Sequence, residues 1–256
     1  MSEVTLRMEP PLAWVLLNRP EKHNALTPSM ADGLVEFLGM LSTDSDVRVV
    51  MLAGEGRSFC AGADVSRLAQ FKPADAVRFH RKLNLVCWAI RSCMKPVVAV
   101  LHGYALGGGL EIAEWADIRI AADNAKIGQP EVNIGLNGGA GGTIMLPRLV
   151  GRGVASYLAM TGEIVDAQYA LSVGLVDLVV DACSLMDKAR ELGLKLASKP
   201  PETLWAIKQA LSRFDEMSSW AGLEYEASLF GHLFSEEETR RRFDEFLKGN
   251  GNTPPM

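Results

Sequence analysis

Two glycine-bearing stretches, SFCAGAD at 58–64 and GYALGGGLE at 103–111, and a second glutamate in GQPE at 128–131 carry the residues best suited to chemistry. Glycines Gly62, Gly107, Gly108 and Gly109 let the backbone take positive φ and approach a ligand closely, where peptide N–H groups can point at an oxygen. Two such donors suit an oxyanion, because carbonyl chemistry that builds negative charge on oxygen gains most from dipoles fixed in advance. The carboxylates Glu111 and Glu131 are then placed to move protons.

Other chemistries have little support. The four cysteines, Cys60, Cys87, Cys93 and Cys183, make no CxxC pair and no zinc-like spacing with the four histidines, which argues against a disulfide framework or a metal. Among the histidines, His102 precedes the second glycine stretch and is expected to be a satisfied structural residue. No GxSxG, GxGxxG or GxxxxGK occurs, so a serine nucleophile, nicotinamide and nucleoside triphosphates are not expected. A net charge of -5 argues against general affinity for nucleic acid. The amino terminus, MSEVTLRMEPP, has no basic stretch followed by an apolar one, and no run of about 18 apolar residues appears. The expectation is a soluble, cytoplasmic protein with reduced thiols and no membrane partner.

The elements that must position these residues read as α/β. Residues 12–17 (LAWVLL), 47–53 (VRVVMLA) and 96–101 (PVVAVL) are short apolar runs bounded by proline or glycine, as buried strands are. Between the first two, Met30, Leu34, Phe37, Leu38 and Leu41 recur with helical period behind Thr27 and Pro28. Residues 78–91 and 110–116 also read as helices, and 118–121 and 125–127 as strands around a turn at Asp123 and Asn124. The KPP at 199–201 marks a change to a charged, helical tail, which sets domains at 1–199 and 200–256. Helices are expected at 202–211 and 236–247. Trp205, Phe214, Trp220, Tyr225, Leu229, Phe230, Leu233 and Phe234 give this tail more apolar surface than so small a unit can bury, so it should pack on the core or on another subunit. The closing GNGNTPPM should be loose.

LNRPEKHNAL (17–26), SFCAGAD (58–64), HGYALGGGLE (102–111), IGQPE (127–131) and GLNGGAGGT (135–143) together resemble the crotonase, or enoyl-CoA hydratase/isomerase, superfamily. Five motifs stand in the right order, and the resemblance runs from about residue 14 to 178, more weakly in the tail. It implies an α/β spiral of repeated ββα units, with a helical carboxy-terminal region that builds a homotrimer or, by pairing trimers, a homohexamer. The implied reaction is reversible addition of water to a 2-enoyl-CoA, giving the 3-hydroxyacyl-CoA. Coenzyme A enters as part of the substrate, and no separate cofactor or metal is implied.

Residue by residue, the resemblance implies that the N–H groups of Ala63 and Gly108 hold the thioester oxygen. It also implies that Glu111 activates water and that Glu131 protonates Cα. Lys22 is placed for the coenzyme A phosphates, with Ala61 and Val65 beside the adenine. Asp64 stands next to the oxyanion loop, in the binding region, in a structural hydrogen-bonding role. Gly138, Gly139, Gly141 and Gly142 serve either tight packing or the shaping of the site, and Gly139 is the expected lining member. The segment 66–75 is expected to border the acyl pocket. Two rivals remain: another acyl-CoA reaction of the same scaffold, such as double-bond isomerisation, which commonly manages with one carboxylate and is disfavoured by two, and a non-catalytic RNA-binding or scaffolding relative, disfavoured by the acidic composition and the intact glutamate pair. The sequence departs from the family at Glu114 and Trp115. Glu114, one helical turn from Glu111, is expected at the surface, paired with Arg119 or Arg91, in preference to acting as a third acid. The tail FLKGNGNTP (246–254) lacks the usual Lys-Arg pair, for which Lys248 is the substitute.

Overall fold

The structure, a computed structural model, describes residues 2–214 and 216–248. The chain divides into two compact units, Met1–Leu196 and Ala197–Met256.

In the first unit the strands are β1 (Val4–Glu9), β2 (Leu12–Leu17), β3 (Val49–Gly54), β4 (Val97–Leu101), β5 (Tyr104–Leu106), β6 (Ile118–Ala122), β7 (Lys126–Gly128), β8 (Ile164–Asp166) and β9 (Leu178–Val180). The helices are α1 (Pro28–Thr43), α2 (Val65–Leu68), α3 (Pro73–Ser92), α4 (Gly108–Glu114), α5 (Leu146–Thr161), α6 (Ala167–Ser172) and α7 (Leu185–Ala197). β1 and β2 form an antiparallel pair, and β2, β3, β4, β6 and β9 continue the large sheet in parallel. β5, β7 and β8 make a smaller sheet.

From β4 to β7 successive strands alternate between the two sheets. β4 joins the large one, β5 the small one, and α4 follows; β6 and β7 repeat the step before α5. Single bridges from Leu26 to Ala63 and from Cys60 to Ala105 extend the small layer back to the segments after β2 and β3. This is the ββα spiral that the motif resemblance implies. Its inner strands are apolar because both faces are covered: every residue of β2 and of β4 is buried.

Helix α1 starts where the sequence predicts. Thr27 Oγ1 accepts from Met30 N at 3.1 Å, Pro28 takes the first turn, and Met30, Leu34, Leu38 and Leu41 are buried. Helix α3 begins at Pro73, earlier than the periodicity at 78–91 suggests, because Asp75 accepts from the Lys72 N–H at 3.0 Å and caps the first turn. Helix α4 is displaced toward its amino end relative to the expected 110–116 and is buried at every residue.

The second unit consists of α8 (Pro201–Leu211), α9 (Ser219–Leu233) and α10 (Glu237–Lys248). Trp205 meets His232 edge-on at 5.8 Å, and Phe234 contacts both Phe230 and Phe243. Much apolar area stays outside these contacts: Trp220 is 72% exposed, Phe214 69% and Phe230 64%. Residues 249–256, with the expected loose end and most of the tail comparison, lie outside the described residues.

Candidate active site

Helix α4 opens at Gly107, whose φ of 49° and ψ of -128° only glycine adopts readily. Its N–H donates to Gly128 O at 2.9 Å, which ties the start of α4 to the end of β7 and so to the GQPE loop. A Cβ on Gly107 would lie 2.7 Å from Glu131 Oε1, so the bare backbone is what admits that carboxylate. On the other side, Leu26 N donates to Gly62 O at 2.8 Å and Asp64 N to Leu26 O at 3.1 Å. Alternation along an extended segment therefore turns the Ala63 N–H away from Leu26. Gly108 is its neighbour: a Cβ on Gly108 would stand 3.8 Å from Ala63 N and 3.7 Å from Glu111 Oε2. As the first residue of α4, Gly108 carries an N–H without an intrahelical acceptor. Two backbone donors and two carboxylates thus converge around one glycine pair.

Glu111 is 1% exposed, and its Oε1 accepts the Gly142 N–H at 2.9 Å. Cβ atoms on Gly138 or Gly142 would each come within 2.7 Å of that oxygen. The GGAGG run therefore exists, at these two positions, to let the backbone reach a buried carboxylate. Burial pushes the Glu111 pKa up, and peptide N–H groups at Ala140, Gly142 and Gly139 pull it back. Glu131 rides on the short 3-10 turn Pro130–Ile134; its buried Oε2 has no hydrogen-bond partner among the described residues. Burial, and then the charge of Glu111, push its pKa up to about 7. The two titrate as a coupled pair.

Glu114 corrects the expectation of a surface ion pair. It is 0% exposed and accepts from Gln129 Nε2 at 3.2 Å. Arg119 binds Asp177 instead, at 2.8 Å, and Arg91 lies over the Trp88 and Trp115 rings. The reason is that α4 has no solvent face, so a residue one turn from Glu111 is buried as Glu111 is. Burial first, then Glu111, raises the Glu114 pKa well above the usual carboxylate range.

Raised carboxyl pKa values make the fold bind protons more tightly than the unfolded chain does, so stability falls as pH rises from 4.5 toward about 7. Glu131→Gln removes this loss at one group. The variant should melt at a higher temperature than the parent above neutral pH, and the difference should vanish near pH 4.5, the ordinary glutamate value. Thermal melts across that range check it; a pH-independent difference would assign the effect to packing.

Ala61, Ala63, Val65, Gly108, Glu111, Glu131 and Gly139 all line one cavity of about 250 Å³. Leu68, from the segment expected to border an acyl group, lines it too. A larger cavity of about 560 Å³ shares Glu131, Leu136 and Asn137 with it and has apolar walls at Val132, Ala155, Ala159 and Met160. Lys22 and Asp64 line neither. Lys22 is exposed at the end of the 3-10 turn Pro20–Lys22. Asp64 accepts from Ser66 Oγ at 2.5 Å and pairs with Arg19 at 3.0 Å, contacts that hold its carboxyl below the usual range. His102 Nε2 donates to Gly56 O at 3.2 Å, while its buried Nδ1 has no partner among the described residues, so it is structural but not fully satisfied.

Two site neighbours escape sequence reasoning. His80 of α3 lines the smaller cavity, and a Cβ on Gly139 would fall inside its imidazole. Burial lowers its pKa, and its Nδ1 lacks a partner among the described residues. Within RFHRK it carries no motif signal; only the packing of α3 against the 138–142 loop reveals it. Gln129, 2% exposed, lies inside the GQPE motif but shows its bond to Glu114 only in three dimensions. Among the described residues, no group of three metal-binding side chains occurs and no helix is long and apolar enough to cross a membrane.

Residues 8–250 match the family model described as enoyl-CoA hydratase/isomerase, well past the clear motif resemblance that ends near 178. The short-chain-enoyl-CoA hydratase of Clostridium acetobutylicum is 38% identical over 97% of this chain and 95% of its own length. The 2,3-dehydroadipyl-CoA hydratase of Escherichia coli is 36% identical over 97% and 96%. The crystal structure of an enoyl-CoA hydratase from Thermoplasma volcanium superposes with a TM-score of 0.91 at 42% identity, covering 97% of each chain. With matches that span nearly its whole length, this chain belongs to the enoyl-CoA hydratase/isomerase family.

Proposed function

We propose that this protein is an enoyl-CoA hydratase that adds water reversibly to a 2-enoyl-CoA to form the 3-hydroxyacyl-CoA. The observation that carries the reading is the pair of glutamates, Glu111 and Glu131, set in different surroundings on one cavity wall beside the Ala63 and Gly108 donors. The thioester oxygen accepts both N–H groups, which stabilise the enolate-like charge that develops as water adds to Cβ. Glu111, held by peptide N–H groups that favour its ionised form, takes a proton from the attacking water. Glu131, whose proton is retained up to about pH 7, delivers it to Cα. Proton exchange between the two acids and solvent restores the starting state.

Isomerisation needs one of these carboxylates and leaves the other without work; an RNA-binding role has no support in a chain of net charge -5. The reaction as written needs no metal and no cofactor beyond the coenzyme A of the substrate. For coenzyme A, Ala61 and the 54%-exposed Val65 lie at the cavity, Lys22 serves the phosphates, and Asp64 supports the loop through Arg19. The exposed apolar faces of the carboxy-terminal unit, with Trp220, Phe214 and Phe230, support assembly into a homotrimer and, by pairing, a homohexamer; sedimentation equilibrium at three or six chain masses checks this. The four cysteines form no disulfide, which supports a reducing, cytoplasmic setting.

The test is hydration of a panel of 2-enoyl-CoA thioesters from crotonyl-CoA upward, following loss of the conjugated thioester absorbance and identifying the product by mass. Turnover is expected, extending to chains longer than crotonyl because the larger cavity adjoins Glu131. A folded protein that hydrates none of them overturns the reading.

A further inference from the structure

We propose that Glu114 is held as a neutral carboxylic acid that clasps Gln129 through two hydrogen bonds and, by doing so, keeps Glu111 and Glu131 in register. Half of this clasp is seen directly: Gln129 Nε2 donates to Glu114 Oε1 at 3.2 Å. The other half is implied by what is left over. Glu114 Oε2 and Gln129 Oε1 are both buried, and neither has a hydrogen-bond partner among the described residues. If Glu114 were ionised, both atoms would be acceptors and neither could satisfy the other. One proton on Oε2 turns it into a donor to Gln129 Oε1 and satisfies both at once, closing a cyclic acid–amide pair. Exchanging the amide oxygen and nitrogen leaves the count unchanged, since one carboxyl proton is still required.

Among the described residues no cation forms an ion pair with Glu114; the charge of Arg119 favours the ionised form, but burial and then Glu111 outweigh it. The groups facing it are Glu111 one turn earlier on α4, Glu131 beyond Gln129, Arg119 just after α4, and the Cys87 thiol of α3. Two of these are acids. Arg119 is committed elsewhere: its Nη2 donates to Asp177 Oδ2 at 2.8 Å, its Nη1 to Ala116 O at 2.8 Å and its Nε to Leu175 O at 3.1 Å. Cys87 Sγ donates to Ala140 O at 3.0 Å. Burial alone pushes the carboxyl toward its neutral form, in the same sense as this geometry.

The clasp sits where both glutamates can be set from it. Glu114 and Glu111 share the buried helix α4, and Gln129 precedes Glu131 by two residues. Gly142, whose N–H holds Glu111, packs on the amide so closely that a Cβ there would lie 2.8 Å from Gln129 Nε2. Glu114 is therefore a positioning residue that touches no reacting atom.

Infrared difference spectra of wild type against Glu114→Gln near neutral pH test the protonation directly, because a protonated carboxyl has its own C=O band. Loss of such a band in the variant is the expected result; a carboxylate band lost in its place overturns the proposal. Turnover tests the positioning and rests on the hydratase reading. Glu114→Leu should lower kcat at least about tenfold, since small misplacements of reacting groups are expensive. Glu114→Gln should recover most of that loss, because an amide–amide pair keeps a clasp. Its pH–rate profile should keep its midpoints, whereas removing an ionised neighbour would lower them by about one unit or more. Equal losses in both variants, or a shifted profile in Glu114→Gln, overturn it. If wild type hydrates no enoyl-CoA, the hydratase reading fails, and the infrared result still decides whether the clasp exists.

Discussion

Glu131→Gln hydrates 2-enoyl-CoA about 10² to 10⁴ times more slowly than wild type, with KM little changed, the loss expected when a general acid is removed. The substitution keeps the shape of the side chain and removes only the transferable proton. The site has no spare acid to replace it: Glu111 is committed to Gly142 as an acceptor, and Glu114 lies behind Gln129. The pH profile adds a signature that a packing defect would lack. With the Glu131 pKa pushed up to about 7, hydration in wild type declines as pH rises through that value and the acid loses its proton. In Glu131→Gln this limb disappears from the residual activity. Glu111→Gln should show a loss of similar size, and the double variant should lose much less than the product of the two, because acid and base act on one transition state. Stopped-flow and steady-state rates across pH check all three. Near-normal turnover in either single variant would remove that glutamate from the mechanism.

Gly108→Pro loses about 10² to 10³ in kcat, the usual size for one oxyanion donor. Proline is the informative replacement because position 108 is the first of helix α4, where its fixed φ is tolerated and its missing N–H breaks no helical bond. The preceding residue is Gly107, which has no Cβ to clash with the ring. What vanishes is the N–H that stands beside Ala63 N. Gly108→Ala is the companion: it retains the donor, and its methyl meets Leu26 Cδ1 at 3.1 Å, the movable end of a flexible side chain. A large loss in proline with a small one in alanine, and matching circular dichroism, locates the effect at the donor. Equal losses in both would place it in the packing of α4.

The motifs carry most of this site on their own. Gly62, Gly107 and Gly108 are legible because only glycine allows a positive φ or a bare backbone at such turns, and chemistry that needs peptide donors leaves that mark in residue type. Glu111 and Glu131 are legible through the motifs around them. Strands β2, β3 and β4 are legible because parallel strands covered on both faces must be apolar throughout. Helix α4 is where local pattern stops. At seven residues it is too short to show a polar face, and in isolation its second glutamate looks like a solvent-facing one. Only the layers packed around it decide that Glu114 is buried, that Gln129 is its partner, and that the glycines at 138 and 142 approach Glu111. His80 reaches the cavity for the same reason: its place depends on where α3 crosses the 138–142 loop, far away in sequence. A glycine or an apolar run records its own environment in its residue type. Burial of a charged side chain is set by distant segments, so it exists only once the spiral has closed around it.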